Sequence, residues 1–285
     1  MNYIFLLLLV ISSLRAFTME VPESSVVNGR TAIILFDKEK DLKYEKIVVG
    51  KESYKIFKHP SNAKKMYALL PQSYYEKPTT KKVEVVYQKN SKEERKVIFF
   101  QIKDGKYAKE RIQVQKSKVN PTSKKVKDRT AKEYAQAMKI YGGVTSKNYV
   151  TSKYLAPMNS KITSDFGKAR IYNDALNGYH SGTDFRAKVG TPIIASNDGK
   201  IVLAKDRFYS GNSIIIDHGQ GIYTCYYHLS AFKVKEGDMV KKGELIGWSG
   251  ATGRITGPHL HFSARVGGVQ VDPLQLMALL NKNLY

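Results

Sequence analysis

Three short strings in the last third of the chain set the strongest condition on its fold: "HSGTDF" from His180, "YYHLS" from Tyr226 and "GPHLHF" from Gly257. They hold four of the six histidines together with Asp184, and a fifth, His218, lies between them. His259 and His261 are two apart, so on an extended strand both imidazoles share a face while Leu260 turns into the core. His180 and Asp184 are four apart, an even interval that also puts both on one side of a strand. Two imidazoles and a carboxylate suit zinc with an open fourth position, and an open position implies catalysis. Taken singly, each histidine reads as a hydrogen-bonded core residue. The coincidence of spacings across three strings is what points to a metal site.

The strings sit inside a longer pattern: "SDFGKARIYN", "YHSGTDFRAKVGTPIIASNDGKIV", "GNSIIIDHGQGIYTCYYHLS" and "VKEGDMVKKGELIGWSGATGRITGPHLHF". Over about residues 154 to 276 this resembles the lysostaphin-type (LytM-like) zinc endopeptidases of bacterial cell walls. The resemblance implies His180, Asp184 and His261 as zinc ligands, and His228 and His259 as the pair flanking the water at the metal. No motif position is missing, which argues against the family's degenerate, non-catalytic members. His259, on the strand face of His261, is the candidate general base. His228 would stabilise the oxyanion or pass a proton to the leaving amine. Asn173 matches a position that in similar enzymes faces the substrate, and Arg170 either binds a stem carboxylate or pairs with a structural acid. His218 receives no ligand role and reads as structural. The implied reaction is hydrolysis of peptidoglycan stem-peptide cross-links, with a D-alanyl-diaminopimelate bond expected for a periplasmic protein of a Gram-negative cell. A carboxypeptidase trimming uncrosslinked stems is the nearest alternative. A non-catalytic wall-binding or amidase-activating protein is the alternative of another class.

Residues 4 to 14, "IFLLLLVISSL", form an apolar run of 11 residues, too short to cross a hydrocarbon core of about 30 Å as a helix. The run reads as a secretory leader with Ala16 at the cleavage position. No Lys or Arg precedes it and Leu14 is a poor small residue, so residues 1–19 are a signal peptide or an N-terminal membrane anchor. The composition fits export, and with a single cysteine, Cys225, no intramolecular disulfide framework can form, so the fold must rest on its core. Cys225, in an apolar strand without a thiolate-activating motif, reads as a buried structural thiol. A formal net charge of +22 calls for an acidic partner. Nucleic acid is the usual one, but an exported chain meets wall and membrane surfaces instead. Peptidoglycan stems carry carboxylates on which a basic surface would concentrate, and solubility alone is the plain alternative. Nothing in the sequence fixes the oligomeric state.

The expected fold is mainly β: an N-terminal Ig-like β accessory domain over 20–115, a linker with a helix over 116–153, and an antiparallel β-sheet peptidase domain over 154–285. "TAIILF", "YEKIVV", "SYKIF", "MYALLP", "KVEVVYQ", "KVIFFQI" and "RIQVQ" are the strand runs of the first part. His59, before Pro60, reads as an exposed bystander. Tyr74, Tyr75 and Glu76 suggest a docking loop whose carboxylate would occupy the open site of the zinc. In the linker, Asp128 is expected to cap a helix with Ala131, Tyr134, Ala135, Met138 and Tyr141 at helical spacing, packed between the domains. "NDG" and "HGQG" predict hairpins in the last part. "VKEGDMVKKGELIG" is similar to the hairpin of biotinyl and lipoyl carriers but has no carrier lysine, so it supports only a barrel-like β architecture.

Overall fold

The computed structural model describes residues 17–113, 123–172 and 176–285. The leader run with Ala16, the linker residues up to 122 and Asn173 therefore lie outside the described residues. The first strands are β1 (Met19–Glu20), β2 (Ser25–Val27), β3 (Thr31–Asp37), β4 (Leu42–Val49), β5 (Glu52–Tyr54), β6 (Phe57–Lys58), β7 (Lys65–Pro71), β8 (Thr79–Lys89) and β9 (Lys92–Lys103). They form two sheets, ordered β1-β3-β7-β6 and β2-β9-β8-β4-β5. The sheets close over Ile34, Phe36, Ile47, Leu70, Val83, Val85 and Phe100. This is the sandwich that the repeated Val, Ile, Tyr and Phe runs predict.

The two sheets are patterned differently, and the pattern says what covers each. β9 alternates, exposing Val97 and Phe99 while burying Phe100 and Ile102. β3 is buried from Thr31 to Phe36 and β7 from Tyr67 to Pro71. Ala32, Ile34 and Phe36 face the sandwich core, whereas Ile33 and Leu35, with Tyr67 and Leu69, belong to the core of the C-terminal sheet. A continuous apolar run is what a strand covered on both faces requires.

The remaining elements are β10 (Lys109–Ile112), α1 (Lys124–Tyr141), β11 (Ile162–Ser164), β12 (Ala169–Tyr172), β13 (Leu176–Tyr179), β14 (Thr183–Arg186), β15 (Pro192–Ile194), β16 (Gly199–Arg207), β17 (Gly211–Asp217), β18 (Ile222–Phe232), β19 (Met239–Val240), β20 (Leu245–Ser249), β21 (His259–Val266), β22 (Val269–Val271) and α2 (Pro273–Asn283). An antiparallel sheet runs β11-β14-β21-β18-β17-β16-β19, with β15, β20 and β22 attached to it. "HGQG" closes the β17–β18 hairpin, where Gly219, Gln220 and Gly221 all take positive φ. "NDG" makes no hairpin, because β15 pairs with β20 and β16 with β17 and β19. Its side chains serve tertiary bonds instead: Asn197 donates to the Ser152 carbonyl and Asp198 accepts from Lys241 and Lys242.

Several expectations change at the junction. "RIQVQ" does not complete the sandwich; β10 pairs in parallel with β12, Lys109 opposite Ala169 and Ile112 opposite Tyr172. Helix α1 starts at Lys124 after Ser123 rather than at Asp128, and its buried residues are Glu133, Ala137 and Tyr141, with Tyr134 exposed. The helix does not lie between the domains. It covers the outer face of the C-terminal sheet, where Ala137 and Tyr141 meet Leu203, Ile215, Tyr223 and Cys225, because an apolar sheet face must be buried against another layer. Cys225 is buried there, as a structural thiol should be. His59 is no bystander: its Nε2–H donates to the Asn283 carbonyl at 2.8 Å, tying the sandwich to the end of α2. Asp272 caps the start of α2 through the Leu274 and Gln275 amides and also pairs with Arg30 at 3.3 Å.

Candidate metal centre and active site

β14 and β21 are antiparallel neighbours, with Asp184 opposite His261 and Arg186 opposite His259. Along β21 the expected alternation holds: Leu260 is fully buried in the core while His259 and His261 share the other face. His180 departs from expectation, since it precedes β14 in a loop and reaches Asp184 from outside the strand. Its Nδ1–H donates to the Asp165 carbonyl at 2.7 Å, which leaves Nε2 as a lone pair aimed at the site. That atom lies 2.9 Å from Asp184 Oδ1 and 3.0 Å from His261 Nδ1, and His261 Nδ1 lies 2.8 Å from the same carboxylate oxygen. The three buried groups offer one ligand atom each, all within 4.8 Å of one another. Converging acceptors repel unless a cation lies among them, so this donor set fits a zinc ion. Gly182 makes room for the set: a Cβ there would meet Phe262 O at 2.3 Å and His261 Nε2 at 2.7 Å.

The electrostatics agree with that use. Burial opposes the charge of Asp184, but its contacts with His180 and His261 outweigh burial and hold the carboxyl well below the usual carboxylate range. Burial pushes His261 down to about 4 against the pull of Asp184. Burial, then the neighbouring His261 and His259 rings, push His228 down to about 3. An ionised carboxylate beside neutral imidazoles is the protonation state that metal ligation requires. Arg170 donates to Asp184 Oδ2 at 3.3 Å and to Glu110 of β10 at 3.2 Å. It thus pairs with two acids, one of them in the ligand set.

His228 reaches the site through a break in β18. Its φ is +65°, and the β17–β18 register shifts across this stretch. Its amide donates to the Ser210 carbonyl at 2.9 Å and its Nδ1–H to the Thr252 carbonyl at 2.8 Å, leaving Nε2 as the acceptor. His259 is tied similarly, Nδ1–H to the Gly257 carbonyl at 2.9 Å, with Nε2 3.5 Å from Asp184 Oδ1. The two rings stand 5.1 Å apart, centroid to centroid, beside the ligand set. They line a cleft of about 220 Å³ shared with Ile112, Tyr179, Tyr209, Ser210 and Arg254.

Sequence reasoning passed over several of these neighbours. Tyr227 stacks on the His261 ring, centroids 5.5 Å apart and planes 9° apart. Strict alternation would send Tyr227 and His228 to opposite faces, so only the irregular backbone at His228 lets both line the cleft. Ile112 and Glu110 come from far upstream and carry no local signal. The Tyr74–Tyr75 loop does dock at the cleft: Tyr74 stacks flat on Tyr179 at 3.9 Å and Tyr75 meets it edge-on at 5.4 Å. Glu76 does not enter the open site; it pairs with Lys81 at 2.8 Å. His218 is buried away from the ligands, bonded to the Asp198 carbonyl at 2.7 Å and to Thr224 Oγ1 at 2.8 Å.

Comparison with known proteins places this constellation. Residues 178–273 match the model of Peptidase family M23. The chain is 42% identical over 122 residues to peptidoglycan DD-endopeptidase ShyA of Vibrio cholerae, across 42% of this chain and 28% of that protein. It is 47% identical over 97 residues to DD-carboxypeptidase/endopeptidase Mpg of Neisseria meningitidis, across 34% of this chain and 22% of that protein. The matches thus span about a quarter of the length of these curated relatives. A peptidase M23 crystal structure from Pseudomonas aeruginosa shares the fold over 89% of this chain and 95% of its own, with a TM-score of 0.66 at 24% identity. The converging His180, Asp184 and His261 lie within the matched segment, and residues 178–273 of this chain are a Peptidase family M23 domain.

Proposed function

We propose that the protein is a zinc-dependent peptidoglycan endopeptidase that hydrolyses stem-peptide cross-links, the D-alanyl-diaminopimelate bond in particular. The observation that carries the reading is the convergence of His180 Nε2, Asp184 Oδ1 and His261 Nδ1 beside two further imidazoles in one open cleft. These three residues would hold the metal. When bound, zinc supplies Lewis acidity, acidifying water toward a pKa of about 7 and polarising a carbonyl. His259, whose Nε2 is an unprotonated acceptor beside the ligand set, takes a proton from water as it attacks the scissile carbonyl. Burial and neighbouring imidazoles disfavour the charged form of His228. The proton that His259 takes from water passes to the leaving amine as its C–N bond breaks, and the neutral Nε2 of His228, across the cleft, is the acceptor able to relay it. Tyr227, stacked on His261, fixes the plane of that ligand.

The same cleft admits a second reading, trimming of the terminal residue from uncrosslinked stems, and the relative named as a DD-carboxypeptidase/endopeptidase supports it. Export to the periplasm, by a leader or a membrane anchor, is proposed from the apolar run over residues 4–14, and the charge of +22 suits an anionic polymer. The deciding experiment is mass analysis of purified sacculi digested with the zinc-loaded protein beside a chelated control. Chelator-sensitive loss of cross-linked dimers is the expected result. Loss of terminal D-alanine alone selects the carboxypeptidase, and no change overturns both.

A further inference from the structure

A spacer helix has no need of a buried acid, yet α1 carries one. Glu133 is 9% exposed, on the face that α1 turns toward the sheet. Its Oε1 accepts from Arg129 Nε at 2.6 Å, and its Oε2 accepts the backbone N–H of Phe208 at 2.9 Å. Its own carbonyl accepts from the Arg207 guanidinium at 3.0 Å. One helical residue thereby grips the start of the β16–β17 turn at two points.

We propose that α1 is a positioning element of the active site, acting through Glu133 on His228. The proposal rests on the hydrolytic reading above. From the gripped turn, the Tyr209 carbonyl accepts the Arg254 amide at 2.7 Å and the Ser210 carbonyl accepts the His228 amide at 2.9 Å. The second strut of His228, the Thr252 carbonyl on Nδ1–H, belongs to the loop that packs against this turn without slack. A Cβ on Gly253 would lie 2.3 Å from Gly211 N, and one on Gly211 would lie 2.2 Å from Thr252 Oγ1. His228 needs such support because its φ of +65° is one that bulky residues seldom keep unaided. Glu133 touches neither substrate nor ligand set; it holds the turn that holds His228.

The test uses the full-length, zinc-loaded chain with Glu133→Ala and Glu133→Gln. A positioning role predicts that Glu133→Ala lowers kcat on cross-linked muropeptide dimers by roughly tenfold to a hundredfold, the cost of misplacing a catalytic group by a fraction of an ångström to an ångström. Bound zinc per chain should stay unchanged, and Glu133→Gln, which keeps an acceptor for Phe208, should recover most of the rate. Hydrogen exchange of the His228 amide reports the same restraint without substrate and should quicken in the alanine variant. Wild-type kcat or unchanged exchange in Glu133→Ala overturns the proposal, as does zinc loss parallel to the rate. Quickened exchange with a wild type that cleaves nothing supports the restraint and fails the hydrolytic reading alone. Should the alanine variant not fold, Glu133→Asp, with the carboxylate withdrawn by one methylene, must show the same slowing and the same exchange.

Discussion

His259 and His261 stand on one face of one strand, and their side-chain contacts divide them. His261 Nδ1 meets Asp184 and His180 within 3.0 Å, whereas His259 turns its Nδ1 to the Gly257 carbonyl and keeps Nε2 at the rim. His261→Ala should therefore abolish both zinc retention and hydrolysis. His259→Ala should retain zinc and lose turnover by about a hundredfold or more, the usual worth of a general base. Zinc per chain and the dimer-cleavage rate check the pair, and equal zinc loss in both variants would sink the division. His218 supplies a separate prediction, on stability. Burial pushes its pKa from 6.5 down to about 4. The unfolded chain takes up this proton below about pH 6.5 and the folded chain does so only near pH 4. The contribution of the neutral ring is thus complete above pH 6.5 and is lost as pH falls toward 4, about 3 kcal/mol in all and about 2 kcal/mol by pH 5. Urea unfolding of His218→Gln at pH 7 and pH 5 should show a variant less stable at pH 7 but with a shallower decline than wild type. Identical declines would remove His218 from the acid sensitivity.

Among elements, what was legible in the sequence is what is local to one strand. The His-Leu-His alternation of β21 reads directly, because neighbours along a strand must take opposite faces. His180 and Asp184 also keep an even spacing, yet they meet around the Ser181–Gly182 loop, so strand alternation is not what brings them together. The sandwich strands declared themselves by composition, and the doubly buried runs of β3 and β7 even announce a cover on both sides. The placement of β10 and α1 was not legible, since the partners of Glu110 and Tyr141 lie dozens of residues downstream. Tyr141 shows what such a contact does. Its hydroxyl lies 3.1 Å from that of Tyr227 and 3.4 Å from Cys225 Sγ, and Tyr227 in turn backs His261. Tyr141→Phe keeps the ring and strips the hydroxyl, leaving a buried partner unsatisfied at a cost of about 1–2 kcal/mol. The variant should unfold at lower denaturant, keep its zinc and cleave more slowly. Unaltered rate and stability would reduce the Tyr141–Tyr227 contact to coincidence.

At the level of the whole molecule, the sandwich and the peptidase sheet are joined by a shared core rather than by a tether. Ile33, Leu35, Phe57, Tyr67 and Leu69 pack in one cluster with Val150, Tyr154, Leu276 and Leu280. Around that cluster, Thr31 exchanges two hydrogen bonds with the Gln275 side chain at 3.0 and 2.9 Å, and Tyr67 donates its hydroxyl to Gln220. Two units that bury one core together must lose it together, so unfolding should be a single transition. Trp248, the chain's one tryptophan, sits in β20 of the C-terminal sheet and reports that part alone. Leu69→Ala lies in β7 of the sandwich and empties part of the shared core, at a cost of about 2–5 kcal/mol. The midpoint of Trp248 fluorescence should fall with the far-ultraviolet circular dichroism, by the same amount, although the substitution is in the other sheet. If the Trp248 transition stays at its wild-type midpoint while the dichroism shifts, the two parts fold independently. The Tyr74–Tyr179 stack would then be a docking contact between separate bodies, free to open over the cleft. If both probes move together, that stack is part of one rigid wall, and substrate must fit the cleft as the fold presents it.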